Sequence, residues 1–596
     1  MTIPRPSELA LDDPADELYA ELLGAPSRHA FESEFTSLFP KGYIRLAIQV
    51  IDSGPLVERL EQWSAEDRKG KHAGGRPVII GHRAALIIML MHILQSGGRT
   101  YRAMAQTLST GLDEERAKMI GIPFEPNAHW YMRLYEAINR ITRTLEPYYY
   151  PSRYEKKLGA PDVSRGRTMT GEQFDELLAW RKPDRREQRQ RRIDWFCNEL
   201  VDGSVKLAGK HLQSWKGNTA IDATFVPVSG KAGKVKVTKP GCSRWEIRTT
   251  NPDAGWYQRT GRDSDHAGED SKGGRKKSTQ YGWELEVSTM IPNRPGHIDD
   301  ELPLLIRAIA FHKPGEIPPH PANMYQAMRD RGCPAGLVIA DRAYNHLLVD
   351  SFAAPLSALG HDFVLDYRGD QLGIKAHFEE FILVEGQWYL NFMPTALVNA
   401  VRDRLPHKNN PHPISQEESD LLVAERVKYQ LKPKERPDSD GYQRFSLPDP
   451  SGYIATNPEG EVIDPPTRKS VTISATAGLK YRQKFPYQSP QWRAFYGMRS
   501  IIEHQNALLK DGRQEDIANP YKRGSRGYAA NYLALALSVV SANWRKIKVW
   551  LDTRHAARDP QSSTVTTRAS RRPAIKKVRR SSRGVDGRSL RTPLRT

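Results

Sequence analysis

Three carboxylates stand where their residue type and surroundings suggest chemistry. Asp222 lies inside an apolar, β-rich run, Thr219–Val228. Asp341 ends another short apolar run, in the order Val338-Ile339-Ala340-Asp341-Arg342-Ala343-Tyr344. Glu503 stands in a helical stretch much further on. A charge within an apolar strand is costly unless it is paired or bound to a cation. Two such aspartates in one sheet, with a glutamate on a helix beside it, make a set of hard oxygen donors. Magnesium suits that set, since it takes a few carboxylates, keeps several waters and completes its octahedron with substrate phosphates. Two such ions about 3.5–4 Å apart activate an attacking oxygen and stabilise the leaving one. Each carboxylate alone also has a plainer reading, as a strand-end turn residue or a surface ion-pair partner.

The neighbourhood of Glu503 narrows the choice. The chain reads Tyr496-x2-Arg499-x3-Glu503-x6-Lys510. At about 100° per residue these four positions fall within a stripe roughly 60° wide on one helix. A phenol, two cations and a carboxylate on one face can set a metal ligand among groups that hold phosphates. The bland account is an i, i+4 ion pair from Arg499 to Glu503 on an amphipathic helix. His504 points about 100° away and reads as structural.

The Y-x2-R-x3-E-x6-K pattern resembles the signature of a large branch of bacterial insertion-sequence transposases of the DDE type. The order of the carboxylates resembles that family too, over about residues 215–370 and 490–550. Tyr281-Gly282-Trp283-Glu284, with His297 and Asp299 closing a hairpin, is similar to its core strands. The resemblance implies a ribonuclease H-like core with Asp222 on its first strand, Asp341 ending a later strand and Glu503 on a helix after a β-rich insertion. It implies that Asp222, Asp341 and Glu503 are both catalytic and metal-binding, holding two Mg²⁺ ions, with Mn²⁺ able to substitute. A water would cleave a phosphodiester at an element end, and the freed 3′-hydroxyl would attack target DNA. Arg499 and Lys510 would clamp DNA phosphates, Tyr496 would support the strand end, and Trp388 in the insertion would receive a flipped base. Partners would be double-stranded DNA, as element ends and target, and a second copy pairing two ends. An inactive DNA-binding protein on the same scaffold is the alternative.

The elements that must position these residues are legible in part. From Phe31 to about Tyr150 the pattern is helical: Arg83–Ser96 reads as a buried helix after Gly74-Gly75-Arg76-Pro77, and Thr100 as the cap of a helix carrying Tyr101, Met104, Ala105 and Leu108. The pair resembles a helix-turn-helix. Thr170-x-x-Gln173 fits a capping box, and Trp195–Leu200 a helix. Near residue 218 strands begin. Tyr281–Ile291 alternates apolar residues with Glu284 and Glu286, predicting a half-buried strand. In the polar stretch Lys231–Gln280 only Trp245–Thr250 reads as a strand. Glu301–Phe311 and Leu347–Leu359 are predicted helical, Asp362–Asp366 a strand. Within the insertion, strands are predicted at Phe381–Phe392, Val427–Leu431 and Tyr442–Leu447. Gln491–Asp511 and Tyr528–Trp550 complete the helices. The expected class is therefore α/β. The expected divisions are a disordered 1–30, a helical DNA-binding region and linker 31–205, core 206–370, insertion 371–490, core helices 491–550 and a disordered basic tail 551–596.

Composition agrees with a polyanion partner. The 596 residues carry 89 Lys/Arg against 70 Asp/Glu, a net charge of +19. From Arg554 onward 13 basic residues face two aspartates, so the last 43 residues hold +11 of that excess. A second basic run, Arg181–Arg192, carries seven Lys/Arg against Asp184 and Glu187. Such surfaces attract nucleic acid. Arg275, Lys276 and Lys277 add charge to the long polar loop. The longest apolar run, Ala84–Leu94, has 11 residues, where a bilayer needs about 20. Cys197, Cys242 and Cys333 form no C-x-x-C pair, which disfavours a disulfide framework or a zinc site. With an acidic, Pro-punctuated N-terminus, the expectation is a cytoplasmic, nucleoid-associated bacterial protein without a membrane partner.

Overall fold

The computed structural model describes residues 38–558 except 69–77, 97–99, 127, 231, 240–241, 261–276, 297–301, 407–409, 436, 439, 450–454, 456–461, 463 and 524–525. The expectations for 1–30, for the glycine turns at 74–75 and 97–98, for Arg275, Lys276, His297 and Asp299, and for the tail beyond 558 lie outside the described residues.

The N-terminal part is helical: α1 Lys41–Ile51, α2 Leu56–Glu66, α3 His82–Ser96, α4 Tyr101–Thr110, α5 Glu114–Ile120 and α6 Trp130–Leu145. Helix α3 is apolar all round, as a fully enclosed helix must be, and every residue from Ala84 to Leu94 is buried. Thr100 caps α4 by accepting from the Ala103 amide at 3.2 Å. After α7 (Gly171–Trp180), opened by the predicted Thr170–Gln173 capping box, comes the 24-residue α8, Pro183–Lys206, with Pro at its start. Its apolar half, Ile193 to Val205, lies at the centre of one hydrophobic core that also takes in the N-terminal helices and the main sheet.

That sheet is mixed. Its strands are β1 Thr219–Pro227, β2 Gly255–Thr260, β3 Lys277–Met290, β4 Ile306–His312, β5 Leu337–Ala340 and β6 Asp362–Leu365, with helix α9, His320–Asp330, between β4 and β5 in sequence. The order is β2-β3-β1-β5-β6, with β4 also paired to β3. Strands β1, β2 and β4 run antiparallel to β3, whereas β5 runs parallel to β1, and β6 to β5. The free side of β4 is closed by two asparagines. Asn198 of α8 exchanges both hydrogen bonds with the Ile309 backbone, each at 2.9 Å. Asn543, on the last helix α13 (Tyr528–Arg558), does the same for Ile306 at 2.8 and 2.9 Å. Side-chain amides thus supply the partners that an edge strand otherwise offers to another chain.

Between β6 and the C-terminal helices lies an insertion with cores of its own. It holds two three-stranded sheets, Ile374–Phe378/Phe381–Val384/Gln387–Leu390 and Lys432–Pro433/Gln443–Ser446/Ser470–Ile473, with α10, Gln416–Glu425, between them in sequence. The chain then forms α11, Pro490–Gly497, α12, Ser500–Lys510, and α13. Among the described residues no helix is long and apolar enough to cross a membrane.

Several expectations are corrected. Glu301–Phe311 is not a helix: Ile306–His312 is β4, because its apolar run is needed to flank β3. Strand β3 is not half-buried, since Glu286 and Ser288 on the face expected to meet solvent are fully enclosed. The polar stretch 231–280 contains Lys234–Lys239, Cys242–Ile247 and β2, paired by backbone ladders that need no apolar alternation. Leu347–Leu359 is two short helical pieces, Val349–Ser351 and Ala353–Ala358, with Pro355 in the first turn of the second. Phe381–Phe392 folds as a hairpin whose turn holds Glu385 at φ 46° and Gly386 at φ 103°. Val427–Leu431 opens in a 3₁₀ turn, Arg426–Lys428, rather than a strand. Helix α13 continues past 550 to Arg558.

Candidate functional site

The two aspartates come together through strand pairing. Thr219 and Ala220 of β1 stand beside Val338 and Ile339 of β5. Continuing that parallel register by two residues puts Asp222 beside Asp341, just where β5 ends. Asp341 turns the chain, accepting from the Ala343 amide at 2.8 Å and capping the short helix Arg342–Asn345. Burial pushes the Asp222 carboxyl up to about 6; Asp341 pushes it the same way and Arg499 opposes them. A carboxylate so placed is held at a cost unless positive charge sits beside it.

The stretch expected as one helix is two. Helices α11 and α12 meet at Met498–Arg499, where Arg499 N–H donates to the Tyr496 carbonyl, three residues back, at 2.9 Å. That tighter turn aims Arg499 between the carboxylates. Its Nη2 lies 3.7 Å from Asp341 Oδ2 and its Nη1 2.5 Å from Glu503 Oε1. Burial, which opposes its charge, is outweighed by Asp222, Tyr496, Asp341 and Glu503, so its pKa is raised. One turn past Glu503, Asn506 donates from Nδ2 to Asp222 Oδ2 at 3.1 Å. Arg499 thus bridges Asp341 and Glu503, and α12 is anchored on Asp222 through a residue that the sequence reading passed over. Asn506 was findable: it stands three residues after Glu503, on the same helical face.

The remaining predicted site residues are placed as follows. Tyr496 stacks on Trp492, ring centroids 4.5 Å apart and 11° from coplanar. Burial pushes its phenol up to about 12, with nearby Asp366 and Asp341 acting the same way. Lys510 ends α12, seven residues and so about 10 Å along the axis from Glu503. His504 is exposed. Trp388 is only 2% exposed and packs in the insertion core against Phe378. A ring enclosed there reaches a base only if the insertion core opens.

Behind the aspartates lies a buried polar cluster that alternation alone had put on a solvated face. Glu286, paired with Ala223 next to Asp222, accepts from Tyr344 Oη and stands 3.2 Å from His312 Nε2. Burial of His312 is outweighed by Glu286, which holds its pKa up. Tyr344 follows Asp341 by three residues, so the cluster fastens the turn after β5 to β3 and β4.

The basic run Arg181–Arg192 is partly internal. Arg181 is bonded in two-pronged fashion to Asp253, and Arg189 and Arg192 pair with Asp67. These three are buried because they join α8 and the turn before it to neighbouring elements; Lys182, Arg186 and Arg191 face solvent. In the N-terminal helix pair, α4 turns Arg102, Gln106 and Thr110 outward at four-residue spacing, while Met104, Ala105 and Leu108 face the core.

The donors fit a hard divalent cation in type. Besides three carboxylates, the site holds the amide oxygen of Asn506, which is buried with no hydrogen-bond partner. Among the described residues no three His, Cys, Asp or Glu side chains stand together closely enough to hold a metal ion; a guanidinium stands among the carboxylates instead. No protein-family model, curated protein or solved structure matches the chain.

Proposed function

We propose that this chain is a DDE-type transposase that cleaves phosphodiester bonds at element ends and joins the 3′ ends to target DNA. The observation that carries the reading is the meeting of Asp222 and Asp341 on neighbouring parallel strands with the helix of Glu503, which is tied to both through Asn506 and Arg499. The mixed sheet is compatible with a ribonuclease H-like core: Asp222 is on its first strand, Asp341 ends a parallel neighbour, and Glu503 follows the insertion.

Asp222, Asp341 and Glu503 would hold Mg²⁺ or Mn²⁺, with Asn506 Oδ1 as a further oxygen donor. When bound, such cations supply charge neutralisation and an activated water for phosphoryl transfer. The chain's own residues do the rest. Asn506 holds the Asp222 carboxylate in one orientation, and the Glu286–Tyr344 bond fixes the turn that carries Asp341. Arg499 and Lys510 offer positive charge to DNA phosphates, and Tyr496, stacked on Trp492, presents a phenol edge beside Arg499. Positioning and charge account for most catalysis in this chemistry. Arg102 and Gln106 on α4 form the outward face of the proposed DNA-reading helix. A second copy pairing two ends, and action in the bacterial cytoplasm at the nucleoid, belong to the same reading.

The test is cleavage of supercoiled plasmid carrying the DNA that flanks this reading frame, in Mg²⁺ or Mn²⁺. The wild-type chain should nick and join it. Asp222→Ala should bind the same DNA and leave it intact. Binding without cleavage by the wild-type chain in either metal would replace this reading with the alternative, an inactive DNA-binding protein.

A further inference from the structure

We propose that Arg499 is an internal counter-ion of the carboxylate site, which holds its negative side chains in the cation-free protein and must be displaced when a divalent cation binds. The inference rests on the reading of Asp222, Asp341 and Glu503 as cation ligands. It adds that the chain carries its own competitor for them.

The geometry points to this role. Asp222, within β1, stands beside Asp341, just past the end of β5, and like charges there repel. The guanidinium reaches Asp341 at 3.7 Å and Glu503 at 2.5 Å, and it also interacts with Asp222. Its hold is by charge at the tip: Nε is buried without a hydrogen-bond partner. It engages the two carboxylates through its terminal nitrogens alone. A divalent cation among the same oxygens would stand next to a positive guanidinium. One of the two must give way, and the side chain is attached at a turn between α11 and α12 and is 22% exposed. The same guanidinium, once released, is available to a DNA phosphate. Coupling of this kind is reciprocal: whatever draws Arg499 away tightens cation binding.

The experiment is a Mn²⁺ titration of the full-length chain followed by electron paramagnetic resonance, comparing wild type, Arg499→Gln and Asp222→Asn. Melting temperatures in EDTA and in Mn²⁺ are recorded for each. Arg499→Gln should bind Mn²⁺ at least about fivefold more tightly than wild type. It should also melt lower in EDTA and gain more from Mn²⁺. Equal or weaker binding by Arg499→Gln, with binding lost in Asp222→Asn, would overturn the counter-ion role and leave the ligand reading intact. Undiminished binding by Asp222→Asn would overturn the ligand reading, and this inference with it. If Arg499→Gln fails to fold, Arg499→Lys replaces it. Its compact charge on a shorter reach should bind Mn²⁺ more tightly than wild type, and an unchanged affinity would count against the proposal.

Discussion

Asn506 Nδ2 donates to Asp222 Oδ2 at 3.1 Å, a bond that joins the helix of Glu503 to the first strand of the sheet across 284 residues of sequence. The donor fixes one carboxylate oxygen and leaves its own Oδ1 without a partner in a buried setting. Asn506→Ala should therefore cut plasmid nicking by about tenfold to a hundredfold, as loss of a positioning contact does. DNA binding should be unchanged. Single-turnover nicking and a gel-shift assay on the same protein check both parts. Equal nicking rates would remove Asn506 from the site.

The outward face of α4 is the proposed reader of DNA bases. Arg102 and Gln106 are exposed one turn apart and take no part in the core formed by Met104 and Leu108. Arg102→Ala should weaken binding to the cognate end by about 1–3 kcal/mol if it touches a base edge. The melting temperature should stay within about 1–2 °C, since surface changes of this kind shift stability little. Fluorescence anisotropy against cognate and scrambled duplexes distinguishes base reading from a phosphate contact, which would weaken both alike.

In the insertion, Glu385 and Arg426 form a pair with almost no exposure, 2.7 Å apart. Glu385 also accepts from the Gly373 amide, and Arg426 donates to the carbonyls of Leu397 and Val398. Arg426→Met leaves a carboxylate enclosed without its cation, and should destabilise the insertion by about 3–5 kcal/mol. Limited proteolysis should then cut within 371–490 first, while α8 and α13 stay protected. The double variant Glu385→Leu/Arg426→Met should recover much of the loss, because neither charge remains.

Acid should destabilise the protein in part through His361. Burial pushes this imidazole down to about 4, with Arg329 acting the same way; the Gly336 backbone and Asp362 oppose them. The ring packs edge-on against Tyr325, centroids 4.9 Å apart, and its Nε2 is buried without a partner. The folded-state value lies below the ordinary one, so the unfolded chain takes up the proton first as pH falls. Stability is fully present above about pH 6.5 and is lost progressively down to about pH 4. His361→Phe keeps the ring contact and removes the titration. Between pH 7 and 5 the wild-type chain should lose about 2 kcal/mol more than the variant, read from urea midpoints. Parallel losses would show that His361 does not carry the effect.

The sequence determined which side chains this protein can bring to bear. It placed Asp222 and Asp341 at apolar strands, because a carboxylate in such a run is conspicuous by its cost. It placed α3, the Thr100 cap and the Thr170–Gln173 capping box, because helix periodicity and caps are local properties. Even the i, i+4 contact of Arg499 with Glu503 was readable from spacing alone. Only the tertiary structure decided what surrounds them. Glu286 alternates with apolar residues as a solvated position would, yet its face of the sheet is enclosed, and Tyr344 and His312 satisfy it. Arg181, Arg189 and Arg192 read as a free basic surface, yet their partners Asp67 and Asp253 lie more than 70 residues away in sequence. Trp388 has the chemistry to stack on a base, but the insertion folds around it. Arg499 carries the clearest lesson. Its charge and spacing are local facts, whereas its position between Asp341 and Glu503 follows from a break between two helices and from a parallel strand pair closed over a gap of 119 residues. Pairing at that distance depends on which surfaces bury one another, which no window of sequence contains.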